Sequence, residues 1–242
     1  MSSRSQFAFL AFLFVSFTAF SAKVDTLTTY SPSMEKNIRA VVITPEGYNE
    51  EEDFPVVYLL HGYSGNYRSW IEGVPELQEY ADRFGLIIVC PDGNYGSWYL
   101  DSPVVEESSY ETYVATELVS WIDERYSTVK HRNGRAISGL SMGGHGAFYL
   151  AFRHQDVFGM AGSMSGGVDL KPFPGNWELQ QLLGTYAEEP GNWEQHSVID
   201  LTHLLTPKSL PLILSCGTDD FFYEANVRLH EKLLYHNIPH TF

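Results

Sequence analysis

Residues 137–145 read I-S-G-L-S-M-G-G-H, and within them Gly139-Leu140-Ser141-Met142-Gly143 forms a G-x-S-x-G pattern. Glycines two residues before and two after a serine suit a very tight turn from strand into helix. Such a turn strains the serine backbone and presents its hydroxyl outward. The next backbone N–H, that of Met142, then points to where an oxyanion would form. A bare G-x-S-x-G occurs by chance in many chains, so the context carries the weight. Residues 135–138 follow a polar turn at 131–134 and read as a short strand, and residues 144–152 (G-H-G-A-F-Y-L-A-F) read as a buried helix. Ser141 is therefore a candidate nucleophile, and the spacing predicts a φ above zero for it.

Working outward, strand and helix patterns alternate. Residues 26–31 and 37–44 read as an opening pair of strands, broken by Ser31-Pro32-Ser33. Residues 55–60 (P-V-V-Y-L-L) and 86–90 (L-I-I-V-C) are continuous apolar runs, as expected of strands covered on both faces. Residues 70–84 read as a helix, and 110–126 carry a helical stripe at Tyr113, Val114, Leu118, Trp121 and Ile122. Strand is expected again at 157–163 and 210–215, and helix at 225–236. The stretches 176–183 and 192–205 are less regular and read as a cap or insertion. Strands alternating with helices imply a largely parallel, doubly wound α/β sheet. No linker interrupts the pattern, so residues 23–242 are expected to form one domain.

The first 22 residues stand apart. Arg4 precedes an almost unbroken apolar run at 7–20, and small residues surround Ser21 and Ala22. This is the order of a secretory signal peptide, and the run is shorter than a spanning helix needs. The mature chain is expected to be secreted or periplasmic, with no membrane span. Its formal charge of −15, from 15 Lys plus Arg against 30 Asp plus Glu, argues against nucleic acid as a partner. Solubility alone accounts for that excess. An exported chain with two cysteines, Cys90 and Cys216, invites a disulfide. Each ends an apolar strand, and the two strands are not expected to be neighbours, so buried free thiols are the preferred reading.

Parallel α/β sheets build their sites at the C-terminal ends of strands. His61-Gly62-Tyr63-Ser64-Gly65, Cys90-Pro91-Asp92-Gly93, Ser141 and Gly217-Thr218-Asp219-Asp220 all fall there, which points to one shared cleft. An H-G turn after a strand can aim a backbone N–H at an oxyanion. His61 itself reads better as a buttress of that loop than as a catalytic group. Asp219 and Asp220 could be a helix cap pair. The order serine, then acid, favours a triad acid among them. There is no clustered His/Cys/Asp spacing for a metal and no glycine pattern for a nucleotide, so neither metal nor cofactor is expected.

These stretches, with L-L-H-G-Y-S-G-N-Y-R-S-W (59–70), G-S-W-Y-L-D-S-P (96–103) and C-G-T-D-D-F-F-Y-E-A-N (216–226), resemble the esterase D-like branch of the α/β hydrolases. That branch includes secreted acetyl- and feruloyl-type esterases, S-formylglutathione hydrolases and the antigen 85 mycolyltransferases. The resemblance runs from about residue 41 to the end of the chain. It implies the α/β-hydrolase fold, with helices on both faces of the sheet. It implies Ser141 as nucleophile, Asp220 as triad acid, and the N–H groups of Tyr63 and Met142 as oxyanion hole. It also implies a catalytic histidine on a loop after the next strand, in a motif like G-G-H-x-W. The chain ends at Ile238-Pro239-His240-Thr241-Phe242, which reads as the start of that strand. The expectation is a chain lacking its C-terminal strand and helix, with its histidine beyond Phe242. Among the nine histidines, His240 comes too early, His145 lies on the helix leaving Ser141, and the others carry no motif.

The implied activity is hydrolysis of a carboxylic ester through an acyl-enzyme. The implied substrate is a small ester or an acylated carbohydrate. Export and the aromatics at strand-end loops (Tyr63, Tyr67, Trp70, Trp98, Tyr99) fit acetyl or feruloyl groups on sugars. Acyl transfer to another acceptor, and a non-catalytic carbohydrate-binding protein on a hydrolase scaffold, are the alternatives.

Overall fold

The computed structural model describes residues 21–242, so all but the last two residues of the expected signal peptide lie outside the described part. Seven strands form one sheet in the order β1-β2-β4-β3-β5-β6-β7. They are β1 Lys23–Ser31, β2 Lys36–Thr44, β3 Val56–Leu60, β4 Ile87–Pro91, β5 Arg135–Leu140, β6 Met160–Met164 and β7 Leu212–Ser215. β2 is antiparallel to both β1 and β4. Every pairing from β4 to β7 is parallel. β3, β4 and β5 lie in the middle; β4 is buried on both faces and β3 is buried on one and half-buried on the other, which explains the apolar runs of these two strands.

Helices cover the two faces unequally. α1 Ser69–Gly73 and α2 Leu77–Phe84 lie against one face, where Leu77 and Ala81 pack with Val41, Ile43, Ile88 and Cys90. The other face carries α3 Tyr110–Thr112 and α4 Val119–Arg125, then α5 Met142–Arg153 and α8 Tyr223–Tyr235. α6 Leu179–Leu183 and α7 Pro190–His196 fill the connection from β6 to β7. On the α2 side, β5, β6 and β7 leave Leu140, Met160 and Ile213 about half exposed. A cavity of about 400 Å³ runs over that stretch, lined by Val57, Ala136, Ser138 and Met164 among others. Beyond β7, Thr241 makes a parallel bridge to Ile213. The Leu214 N–H donates to the Thr241 carbonyl at 2.8 Å, and the Thr241 N–H to Leu212 at 3.0 Å. The residues read as the start of a strand do lie along the sheet edge.

Three elements differ from the sequence reading. The expected helix at 70–84 is two helices, because Pro75 disfavours helix at Val74 and the chain turns there. The stripe at 110–126 is interrupted by a π-helical segment, Tyr113–Leu118. Such a segment has wider turns than an α-helix, and the buried set differs from the expected stripe: Ala115 and Val119 are buried as well, while Trp121 is half-buried. The region read as irregular contains α6, α7 and a 3₁₀ stretch, Val198–Leu204. The cysteines are free, and β4 and β7 are separated by β3, β5 and β6. Cys90 is buried as expected, whereas Cys216 is half-buried, since it has already left its strand for an exposed loop.

Candidate active site

Ser141 stands between β5 and α5 with φ 57° and ψ −114°. A φ in that range is rare without glycine and signals stored strain. Three backbone bonds hold it. Its N–H donates to Met164 at 2.9 Å, and its carbonyl accepts from His145 N–H at 3.0 Å and Gly167 N–H at 3.3 Å. The flanking glycines are required by contact with backbone. A Cβ on Gly139 would lie 2.2 Å from the Gly143 carbonyl oxygen, and one on Gly143 would lie 2.1 Å from that of Leu60. The G-x-S-x-G spacing thus lets β5, β3 and the first turn of α5 touch. The side chain of Ser141 is half-exposed, while residues 142–152 behind it are all buried.

The loop after β3 comes to the same point. A Cβ on Gly62 would sit 3.5 Å from Ser141 Cβ, so Gly62 and its neighbour Tyr63 lie beside the serine. Among the described residues, neither the Tyr63 N–H nor the Met142 N–H donates a hydrogen bond. Two free backbone donors beside a strained serine are what a developing oxyanion needs. His61 supports this loop from behind. Its Nε2 accepts from Gly93 N–H at 2.8 Å, which leaves Nδ1 to donate to the Gly62 carbonyl at 2.8 Å. Burial holds its pKa below the ordinary value, against the pull of Gly62 and Asp92, so the ring is neutral. This is the buttress geometry, with both ring nitrogens occupied.

The loop at 93–99 clamps the loop that follows β3. The Tyr99 hydroxyl donates to the His61 carbonyl at 3.1 Å, and Ser64 N–H donates to Tyr95 at 2.7 Å. The Tyr63 and Tyr95 rings meet edge to face at 4.9 Å. A Cβ on Gly96 would press into the Tyr63 ring at 2.9 Å. Sequence reading noted Trp98 and Tyr99 only as strand-end aromatics. The signal that could have singled them out is weak, since G-S-W-Y shows no left-handed residue type, yet Trp98 and Tyr99 have φ of 53° and 57°.

Asp220 lies in the loop between β7 and α8. Its Oδ1 accepts from Phe222 N–H at 2.8 Å, while Asp219 is exposed. Neither aspartate caps α8, whose N-cap is Phe222 with no side-chain bond to it; Asp220 instead closes a local turn ahead of the helix and keeps a second oxygen for another partner. His145 is fully buried with Nδ1 3.0 Å from the Trp98 carbonyl and Nε2 2.8 Å from that of His196. Burial outweighs the two carbonyls and pulls its pKa down to about 4, so the neutral ring donates to one of them. It ties α5 to the 93–99 loop and to α7.

Residues 31–234 match the family described as Esterase. An esterase of Mycobacterium tuberculosis is 32% identical over 133 residues, covering 54% of this chain and 29% of that protein. The chain thus spans under a third of that relative. An acetyl esterase of Caldicellulosiruptor saccharolyticus is 27% identical over 219 residues, covering 81% and 80% of the two chains. Among solved structures, a ferulic acid esterase superposes with TM-score 0.78 at 27% identity, over 92% of this chain and 89% of the other. An S-formylglutathione hydrolase of Agrobacterium tumefaciens shares the fold, with TM-score 0.78 at 24% identity over 93% and 87%.

Proposed function

The chain belongs to the Esterase family, and from that premise we propose that it hydrolyses carboxylic esters with Ser141 as nucleophile. The Ser141 oxygen attacks the ester carbonyl, and a histidine takes its proton. The Met142 and Tyr63 N–H groups hold the oxyanion of the tetrahedral intermediate. The alcohol leaves with the proton, and water, activated by the same base, releases the acid. Asp220 orients the histidine and stabilises its charged form through the carboxylate oxygen that Phe222 leaves free. His61 and His145 are spent on backbone groups, which supports a base other than these two.

The observation that carries the reading is the left-handed backbone of Ser141 beside two unengaged N–H donors. The test is hydrolysis of p-nitrophenyl acetate by the protein as its organism makes it, with Ser141→Ala as blank. Equal turnover by the two would sink the assignment. The substrate is proposed to be an acetyl or feruloyl ester on carbohydrate. The acetyl esterase and ferulic acid esterase similarities support this over long coverage. Acetate or ferulate release from esterified oligosaccharides checks it. Residues 1–22 are proposed as a cleaved leader, with the mature domain from residue 23 acting outside the cytoplasm. N-terminal sequencing of exported protein tests that.

A further inference from the structure

One hydrogen-bonded path joins Asp220 to Ser141, and Asn226 stands at its centre. Asn226 lies near the start of α8 and is fully buried. Its Nδ2 donates to the Gly166 carbonyl and to the Phe222 carbonyl, each at 2.9 Å. Both acceptors are carbonyl oxygens, so the amide nitrogen must face them; the opposite flip would set oxygen against oxygen. The Oδ1 atom is buried without a partner among the described residues. A side chain kept only to fill space would not carry that cost.

On one side the path runs to Ser141. The Gly166 carbonyl and the Gly167 N–H belong to one peptide plane. Asn226 holds its oxygen, and its N–H donates to the Ser141 carbonyl at 3.3 Å. The same turn packs on the start of α5, since a Cβ on Gly166 would lie 3.0 Å from the Gly144 carbonyl carbon and 3.2 Å from the His145 nitrogen. On the other side the path runs to Asp220. Phe222 gives its N–H to Asp220 Oδ1 at 2.8 Å and offers its carbonyl to Asn226. Residues 217–219 stand outside the path and are exposed.

We propose that Asn226 is a positioning residue of the site, whose amide sets the separation of Ser141 and Asp220. This rests on the esterase reading above. In that reading one histidine must meet the serine oxygen and the carboxylate together, and a shift of about 1 Å in such geometry can cost on the order of 100-fold in rate. The bond to Phe222 is local, of the kind a serine also makes to the carbonyl four residues back. The bond to Gly166 joins residues 60 apart in sequence, and it carries the tie.

The test compares kcat and KM for p-nitrophenyl acetate in wild type, Asn226→Ala and Asn226→Ser, each with and without Asp220→Asn, against Ser141→Ala as blank. Serine keeps a donor for Phe222 but is too short to reach Gly166, so it cuts the tie and spares the local bond. Thermal midpoints check folding, and if Asn226→Ala does not fold, Asn226→Ser alone decides. kcat should fall about ten- to hundredfold, with KM within about twofold of wild type. In the Asp220→Asn background the further loss should be under about twofold, since no carboxylate is left to place. Loosened packing alone would lower both backgrounds by the same factor. A second arm needs no turnover: amide hydrogen exchange at Gly167 in wild type and Asn226→Ser. That N–H should exchange at least about fivefold faster in the variant, beyond the mean change over β3 and β4. A wild type that hydrolyses no ester would overturn the esterase reading, and the exchange arm would then decide the tie. Turnover by Asn226→Ser near that of wild type, an equal loss in both backgrounds, or unchanged exchange at Gly167 would overturn the proposal.

Discussion

The two halves of the candidate site are built differently. At the Ser141 turn, backbone touches backbone: Gly139 meets Gly143, Gly143 meets Leu60 and His61, and Gly144 meets Gly166. Around Asp220 almost nothing is enclosed. Thr218 and Asp219 are exposed, Gly217 has open space where a Cβ would go, and the Asp220 side chain is held by its turn bond to Phe222. The position of Ser141 is thus a property of the whole sheet and cannot shift without β3, β5 and α5 shifting. The position of Asp220 is a property of one loop, set by local hydrogen bonds. A region so divided can keep its serine rigid while the Asp220 loop adjusts.

The sharpest way to break this contrast is to add one methyl group. Gly143→Ala would bring Cβ to 2.1 Å from the Leu60 carbonyl oxygen, and neither partner is a flexible side chain. The expected loss is about 4 kcal/mol or more. That is a fall in thermal midpoint of roughly 10 °C, or failure to fold. A midpoint within a few degrees of wild type would show that the turn has slack, and the contrast would go with it.

Asp220→Asn comes next. The asparagine side-chain oxygen closes the same local turn as aspartate, so the bond to Phe222 survives and only the charge is lost. If Asp220 orients and stabilises a catalytic histidine, kcat should fall by about three orders of magnitude or more, with folding stability changed by under roughly 1 kcal/mol. The same exchange at Asp219 should leave turnover within about twofold of wild type. Kinetics and a melting curve on each variant separate the roles, and a large effect at Asp219 with a small one at Asp220 would reassign the acid.

The same contrast explains what the sequence disclosed. Gly139, Ser141 and Gly143 announce the turn because only one backbone path satisfies that spacing, and the apolar runs of β3 and β4 announce a sheet buried on both faces. The loop from Gly93 to Tyr99 stayed hidden. Its left-handed residues are Asn94, Trp98 and Tyr99, and the last two are types that propensity would never place there, since contacts distant in sequence impose them. The π segment at 113–118 was hidden as well: an apolar stripe read at the α-helical period does not show the wider turns that bury Ala115 and Val119 too. The turn bond made by Asp220, rather than Asp219, depends on a loop conformation that a two-residue motif does not specify.

Acidity should act on the rigid half. His145 is buried neutral with a pKa of about 4 against an ordinary 6.5. Between these values the unfolded chain takes up a proton that the folded ring refuses, so stability falls as pH falls through that window. Glu111 extends the trend. Its burial alone would raise its pKa, but hydrogen bonds from His154, Arg153 and Tyr149 bring it down to about 2 from 4.5. Its contribution is complete above 4.5 and is lost on the way to 2, on the order of 3 kcal/mol at most. Thermal midpoints from pH 7 to 3 should decline throughout. Glu111→Gln should start lower and decline less steeply below pH 4.5, and parallel curves there would remove Glu111 from the account.

The smallest effect tests the open half directly. Gly217 lies where β7 leaves the sheet for the Asp220 loop, a place where glycine often serves a tight turn. Here it does not. Its φ lies outside the left-handed region, where only Gly85 and Gly184 among the described glycines fall, and a Cβ on it would meet nothing within 4 Å. Gly217→Ala therefore removes freedom from the unfolded chain without straining the folded one. The expected gain is about 0.4–1 kcal/mol, a rise in thermal midpoint of roughly 1–3 °C. Its carbonyl still accepts from Asp220 N–H at 3.1 Å, so the acid loop should keep its shape and turnover should stay near wild type. A loss of more than about 1 kcal/mol would mean that the loop is packed as tightly as the serine turn, and that the acid, too, is held by the sheet rather than by its own hydrogen bonds.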